Sequence, residues 1–444
     1  MTPQVLIVGA GGREHALARR LAACASRPRL WAAPGNPGLL RLATPVPVDP
    51  TDQRALASWC RTAAIDLVVI GPEDPLIAGL ADVLRDAGLE VFGPGAEGAR
   101  LEGDKEHAKL VMAAAGVPTA GYVACGSLDE ALDRLATAVF PLVVKACGAA
   151  QGKGVAVCAD RAAARAHLEL CFTAGAFGAA GERVLLEECL TGPELSILAV
   201  TDGRDYALLC PSRDHKRLGE GDTGPNTGGM GVVASAELLT PALGRAVGEG
   251  VVAPVLAELR RRGVDYRGVL YVGLMLTPDG PRVLEFNCRF GDPETQAVLP
   301  LLRADLLDLL RATARGGLGA WLGALAAPGP GAPPDWPGAA LTDWERAAAV
   351  VVAAAHGYPG TVRRGDEITL PPDRAQAWVV QAGTAERDGR LVTAGGRVLG
   401  VVGEGDDQRA ALAAAYGLLA AVRFDGLIAR RDIGGGIPAT RSEA

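Results

Sequence analysis

The chain has 444 residues, room for roughly three domains at about 150 residues each. Apolar residues make up 49% and charged residues 21%, the balance of a soluble globular protein. A formal net charge of -7 excludes a general attraction to nucleic acid or anionic membrane, while a local basic pocket for phosphates stays open.

The start, Met1-Thr2-Pro3-Gln4, has neither the basic opening nor the small-residue cleavage site of a signal peptide. The longest apolar run, Ala347 to Ala355, falls far short of the about 20 residues of a membrane span. Nine scattered cysteines without a Cys-x-x-Cys pair, an odd number, fit a reducing cytoplasm. Only five lysines occur, Lys105, Lys109, Lys145, Lys153 and Lys216, and the other 39 basic residues are arginine. Asn36, Asn226 and Asn287 are the only asparagines. An ammonium is a compact point charge and a guanidinium a planar fork, so rare lysines inside glycine-rich motifs point to phosphate handling.

Val5 to Val8 reads as a buried strand, followed by Gly9-Ala10-Gly11-Gly12 and a helix from about Glu14 to Cys24. Glu14 stands where a dinucleotide fingerprint needs its third glycine, and the next strand ends at Ala33-Pro34-Gly35 with no acidic residue for a ribose. That leaves a backbone amide cradle for a substrate phosphate, or simply a tight turn. Asp66 to Ile70 and Val91-Phe92 are further strands, ending in Gly71-Pro72-Glu73 and Gly93-Pro94-Gly95. Strand, glycine turn and helix are the grammar of an open parallel sheet, whose ligands bind beyond the strands' carboxyl ends.

From about residue 120 the pattern becomes α+β. Pro141 to Lys145, Val155 to Cys158 and Val184 to Leu190 read as strands, then Leu195 to Val200 and Tyr206 to Cys210. Lys145 ends one strand, and Gly148 to Gly154 carries Lys153 into the next. Successive amides in such a loop form an anion nest, although the Walker spacing is missing and an ordinary hairpin loop remains the alternative. Glu187, Glu188, Leu190 and Glu194 could border an adenosine pocket or be solvated acids beside a turn. Ser212 to Arg217 and Asp222 to Gly231 form a long glycine-rich loop of the kind usually kept for function. Within it His215 could equally be a satisfied structural histidine.

Val269 to Leu276 and Arg282 to Phe290, joined by Thr277-Pro278-Asp279-Gly280, predict a hairpin. Alternation along its second strand puts Leu284, Phe286 and Cys288 on one face, a core, and Glu285, Asn287 and Arg289 on the other. A carboxylate and an amide oxygen suit magnesium shared with nucleotide phosphates; the alternative is merely the polar face of a half-buried strand. Residues 326–338, rich in proline and glycine, predict a linker before a last domain.

In this order the motifs resemble the ATP-grasp superfamily and, more closely, the phosphoribosylamine–glycine ligase family. The likeness runs from Val5-Leu6-Ile7-Val8-Gly9 to Arg431-Asp432-Ile433-Gly434 and is most specific at Asp214 to Gly231 and Glu285 to Glu294. It implies an N-terminal open parallel-sheet substrate domain (1–103), an ATP-grasp core of two α+β subdomains (104–325, the mobile one about 120–190), the linker, and a small mixed α/β C-terminal domain (339–444). The implied reaction joins glycine to 5-phosphoribosylamine through a glycyl phosphate, giving glycinamide ribonucleotide, ADP and phosphate. The implied partners are these small molecules alone, with Mg²⁺ or Mn²⁺, in a monomeric or dimeric cytoplasmic protein that binds no nucleic acid or membrane.

Carried onto this chain, the likeness gives Lys105, Lys145, Gly152, Lys153, Gly154, Glu187, Glu188, Leu190 and Glu194 to ATP. It gives Glu285 and Asn287 to the metal, and catalytic roles to Arg289, Lys145 and Asp292. Gly11, Gly12, Pro72, Glu73, Asp214, His215, Lys216, Asn226, Thr227 and Gly228 would face glycine and phosphoribosylamine. The chain departs from the family's usual Asp at Cys147, Leu at Ala149, Ala at Gln151, Ser at Asp104 and Glu at Pro193. Both loop lysines remain, so activity is expected.

Overall fold

The computed structural model describes residues 2–148, 154–174, 176–238, 240–333 and 335–435. The first five strands form a parallel sheet in the order β3-β2-β1-β4-β5: β1 (Gln4–Gly9), β2 (Arg29–Pro34), β3 (Thr44–Pro45), β4 (Leu67–Ile70) and β5 (Val91–Phe92). Val5 to Val8 are buried because helices cover both faces of such a sheet, which is why β1 reads as a continuous apolar run. The predicted first helix occupies Gly12–Ala22, two residues earlier than the periodicity suggests at each end.

A second unit is a four-stranded antiparallel sheet in the order β6-β9-β7-β8: β6 (Tyr122–Cys125), β7 (Leu142–Ala146), β8 (Val155–Cys158) and β9 (Val184–Glu188). Helices Leu128–Leu135 and Arg161–Phe172 pack on it and close a separate apolar core around Leu135, Val144, Leu168 and Val184.

The largest sheet has nine strands. Its chain order is β10 (Glu194–Thr201), β11 (Tyr206–Leu208), β12 (Ser212–Asp214), then a small separate hairpin of β13 (Arg217–Gly219) and β14 (Thr223–Asn226), and back to β15 (Gly231–Ala234). The hairpin β16 (Gly268–Thr277) and β17 (Gly280–Asn287) follows, then β18 (Ala347–Ala354) and β19 (Ala377–Gln381). β20 (Thr384–Arg387) and β21 (Arg390–Thr393) pair with each other, and β22 (Arg397–Gly405) completes the chain's strands among the described residues. The spatial order is β17-β16-β10-β12-β15-β18-β22-β19, with β11 on β10. The antiparallel pair β15–β18 therefore carries one sheet from the central region into the C-terminal region, where helix Gln408–Leu419 covers β22 and β18. The glycine-rich stretch read as a loop is in part the β13–β14 hairpin, whose ladder satisfies backbone groups that glycines alone would expose to water. The end of the expected linker is docked: Trp336 is buried, donates from Nε1 to the Leu208 carbonyl at 2.9 Å and meets Trp344 edge-on, while Ala326, Ala327 and Pro328 are exposed.

Two side chains bind the N-terminal unit to the C-terminal strands. Asn36 is buried and donates to the Ala10 and Gln381 carbonyls at 2.8 and 2.9 Å. His15 accepts the Gln381 amide at Nδ1, 2.9 Å, and burial, with the Arg19 charge adding to it, lowers its pKa to about 4. The unfolded chain binds that proton near pH 6.5 and the folded chain does not, so this contribution is complete above pH 6.5 and is lost as pH falls towards 4. Going from pH 7 to pH 5 should cost about 2 kcal/mol through this group. His15→Asn, which keeps an acceptor that does not titrate, should flatten the slope in urea unfolding. An unchanged slope would count against the assignment.

Candidate active site

The three units meet at the β16–β17 hairpin. The sequence expectation of simple alternation fails at one place: the register shifts between Gly273 and Leu274, because Gly273 pairs with Glu285 and Leu274 with Val283. Leu284 is the extra residue of a β-bulge and is half-buried rather than a core residue. Beyond it the pattern holds, with Phe286, Cys288 and Phe290 buried and Glu285, Asn287 and Arg289 partly open. The bulge also leaves the Leu284 carbonyl turned out of the ladder, where Lys145 Nζ donates to it at 3.0 Å.

Cations converge on Glu285. Lys105 opens helix Lys105–Ala115, whose N-cap Asp104 accepts the His107 amide at 3.0 Å. Lys105 Nζ donates to the Gly148 carbonyl at 2.9 Å. Lys145 is buried and sits 2.8 Å from Glu187 Oε2. Lys216 lies 2.9 Å from Glu194 and 4.0 Å from Glu285. Burial would raise the Glu285 pKa, but Lys216, Lys145, Lys105 and Arg289 together hold it below the usual carboxylate range. Burial, followed by the repulsion of Lys145, lowers the Lys105 pKa against the pull of Glu285. Burial also works against the Lys216 ammonium, yet Glu194 and Glu285 outweigh it and raise its pKa. Lys145, Lys216 and Arg289 each have a closer carboxylate partner than Glu285, in Glu187, Glu194 and the Glu73–Glu102 pair, so the site is a network of alternating charges. Glu285 keeps no tight ion pair of its own, so it and the Asn287 amide offer oxygen donors suited to a hard divalent ion whose remaining ligands come from phosphates and water. Among the described residues no group of three or more His, Cys, Asp or Glu could hold a metal ion.

On the side of the parallel sheet, Arg289 is held twice: Nε lies 3.1 Å from Glu73 and Nη2 lies 2.8 Å from Glu102. Glu73 thus comes together with Arg289 at the loop after β4, with Pro72 capping its short helix. Phe92 of β5 stacks on Phe290 at 5.6 Å and fixes the distance between sheet and hairpin.

Several expected site residues are otherwise engaged. The Gly11 amide already donates to Glu14 and the Arg13 amide to Asp292 Oδ2 at 3.2 Å, so these two amides of the expected phosphate cradle are filled by carboxylates, while Gly12 opens the helix between them. Asp292 also accepts from Gln296 and faces Arg397, which makes it a tie between elements rather than a free catalytic acid. His215 is buried; its Nε2 accepts the Gly434 amide at 3.0 Å and Nδ1 faces the Gly231 carbonyl at 3.2 Å. Both ring nitrogens are used inside the fold, so the structural reading of His215 prevails over a substrate contact. Thr227 folds back on the Lys216 carbonyl at 2.8 Å, and Gly228 is clamped by Tyr358 at its amide and Arg397 at its carbonyl. Asn226 ends β14 opposite Arg217. Asp214 accepts the His215 amide, and burial together with Glu294 pushes its pKa well up. Glu187 turns inward between Lys145 and Lys109, because a buried lysine pair needs a counter-charge. Glu188 is exposed and pairs with Arg282, Leu190 is half-buried, and Gly154 is buried and accepts the Ala146 amide. Gly152 and Lys153 lie outside the described residues.

Sequence reasoning assigned no role to Lys109, Glu102, Arg397 or Tyr358. For Lys109 a signal existed, since it follows Lys105 by four residues on one helical face. The other three acquire their roles only through contacts across more than a hundred residues.

Residues 3–102, 103–295 and 348–436 match the N domain, the ATP-grasp (A) domain and the C domain of phosphoribosylglycinamide synthetase. The chain is 44% identical to phosphoribosylamine–glycine ligase of Nostoc, over 97% of this chain and 99% of that protein. It is 43% identical to the human trifunctional purine biosynthetic protein adenosine-3, over 98% of this chain and 42% of that protein. A crystal structure of phosphoribosylamine–glycine ligase from Thermotoga maritima superposes with a TM-score of 0.81 at 34% identity, covering 97% of this chain and all of that one. Biotin carboxylase of Campylobacter jejuni, at 14% identity and a TM-score of 0.71 over 96% of this chain and 92% of that one, shares the fold. The order of motifs, the three-unit architecture and these likenesses agree, and the chain belongs to the phosphoribosylglycinamide synthetase family.

Proposed function

We propose that this protein joins glycine to 5-phosphoribosylamine at the expense of ATP, as a step of de novo purine biosynthesis. The observation that carries the reading is the geometry at the β16–β17 hairpin, where Lys145 Nζ reaches the Leu284 carbonyl at 3.0 Å, Lys216 Nζ lies 4.0 Å from Glu285 and Arg289 reaches back to Glu73 at 3.1 Å. A glycine carboxylate oxygen attacks the γ-phosphorus and the bond to ADP breaks. The amine nitrogen of phosphoribosylamine then attacks the acyl carbon, the bond to phosphate breaks, and the nitrogen gives up a proton. Such transfers need positioning and charge neutralisation more than a covalent nucleophile. Lys105 and Lys145 neutralise phosphate oxygens, and Arg289 faces the charge that develops at the acyl phosphate. A divalent ion held by Glu285 and Asn287, magnesium or manganese, supplies further charge neutralisation when bound.

Phosphate release from ATP tests the reading when glycine or freshly made phosphoribosylamine is omitted in turn. Turnover should require both, and turnover without glycine would sink the assignment. Asn287→Ala should lower activity mainly by weakening metal–nucleotide binding, so an unchanged magnesium titration would contradict its role. No helix among the described residues is long and apolar enough to cross a membrane. The resemblance implies a cytoplasmic protein, monomeric or dimeric.

A further inference from the structure

The β6–β9 unit is one contiguous segment, entering from the body at Thr119–Gly121 and returning after Glu188. Lys109 lies at both crossings. It is 2% exposed, and its Nζ donates to Thr119 Oγ1 at 2.8 Å and the Ala120 carbonyl at 3.3 Å on the way in. It faces Glu187 Oε1 at 3.3 Å on the way out, and Thr119 Oγ1 continues the chain of contacts to the Val283 carbonyl at 2.6 Å. Glu187 Oε1 receives no hydrogen bond, so its link to Lys109 is an ion pair across the seam, while Oε2 holds Lys145 at 2.8 Å.

We propose that Lys109 is a positioning residue for the nucleotide: by sharing Glu187 with Lys145, it sets where and how strongly Lys145 presents its charge to phosphate. This rests on the ATP-dependent reading above. Two ammoniums on one carboxylate leave the buried triad with one net positive charge, which Lys145 directs to the nucleotide. Without Lys109 the pair Lys145–Glu187 is neutral, and the carboxylate competes with phosphate for the same ammonium. Burial and the neighbouring Lys145 charge both press on the Lys109 ammonium and Glu187 opposes them, as expected of a triad held together by one anion.

The test is magnesium–ADP affinity by titration calorimetry, with KM for ATP and for glycine, in Lys109→Met and Lys109→Gln. The second variant keeps donors for Thr119 and Ala120 while removing charge, and thermal melting checks that each folds. Both should bind nucleotide about tenfold or more weakly, the size of losing one charge-assisted contact. KM for glycine should not move. Adding Glu187→Gln to either variant should recover part of the loss, since it frees Lys145 from a one-to-one pair. Wild-type nucleotide affinity in Lys109→Gln, an equal rise in KM for glycine, or simply additive losses in the double variant would overturn the proposal. Wild-type protein that binds no nucleotide would overturn the ATP reading itself and this inference with it.

Discussion

Glu285→Gln should lower kcat/KM for ATP between about 10²- and 10³-fold, the scale of removing one preorganised charged group from a transfer site. The amide matches the carboxylate in size, so the β16–β17 hairpin has no reason to rearrange. What changes is charge. In the native site Lys216, Lys145, Lys105 and Arg289 keep Glu285 ionised to lower pH than an ordinary carboxylate. Hard divalent ions favour such an oxygen over a neutral amide. The metal concentration for half-maximal activity should therefore rise, and most of the lost rate should return at high metal. Glu285 has a second consequence for the lysines, because it raises the Lys105 pKa against burial and against the Lys145 charge. In the variant Lys105 should release its proton at lower pH, so the alkaline limb of the activity profile should move to lower pH. A variant with wild-type metal dependence would remove Glu285 from the metal site, whatever its rate.

The parallel sheet, the Gly-Pro-Glu loop after β4 and the β16–β17 hairpin were legible because each is written locally. A continuous apolar run marks a strand covered on both faces, and period-two alternation separates Phe286 from Glu285 and Asn287. The bulge at Leu284 was not legible. An extra residue in a strand looks like any other until the partner strand is known, and here it decides that the freed carbonyl serves Lys145. His215 shows the same limit in a side chain: beside Asp214 and Lys216 it looks functional, and only Gly434, more than two hundred residues away, shows that its second nitrogen is used. Glu187 is the sharper case. Its place at a strand end beside Glu188 suits an adenosine pocket, but strand parity turns the two acids to opposite faces, and the face Glu187 takes holds two lysines from different elements.

Arg289→Met should cost about 3–5 kcal/mol of stability at neutral pH as well as activity, because it strands buried carboxylates rather than merely deleting a contact. Arg289 is the counter-charge of both Glu73 and Glu102, and Glu102 is the more buried of the two. Burial already raises the Glu102 pKa, with Arg289 the first force against it. Burial likewise works to raise Glu73, but Arg289 and then Arg13 overcome it and hold that pKa down. Removing the guanidinium therefore moves both folded-state values upward. A folded carboxyl that keeps its proton above the unfolded value loses stability as pH rises, since the unfolded chain then binds fewer protons than the folded one. The deficit relative to wild type should be smaller at pH 5 than at pH 8 in urea unfolding. A loss that does not change with pH would mean that packing of the arginine stem, and not stranded charge, explains it. Adding Glu102→Gln to Arg289→Met separates the two further. It keeps an oxygen for the Cys288 amide, which now donates to Glu102 at 2.8 Å, and removes the stranded charge. Stability should return in part while turnover does not, if Arg289 has the role at the acyl phosphate proposed above.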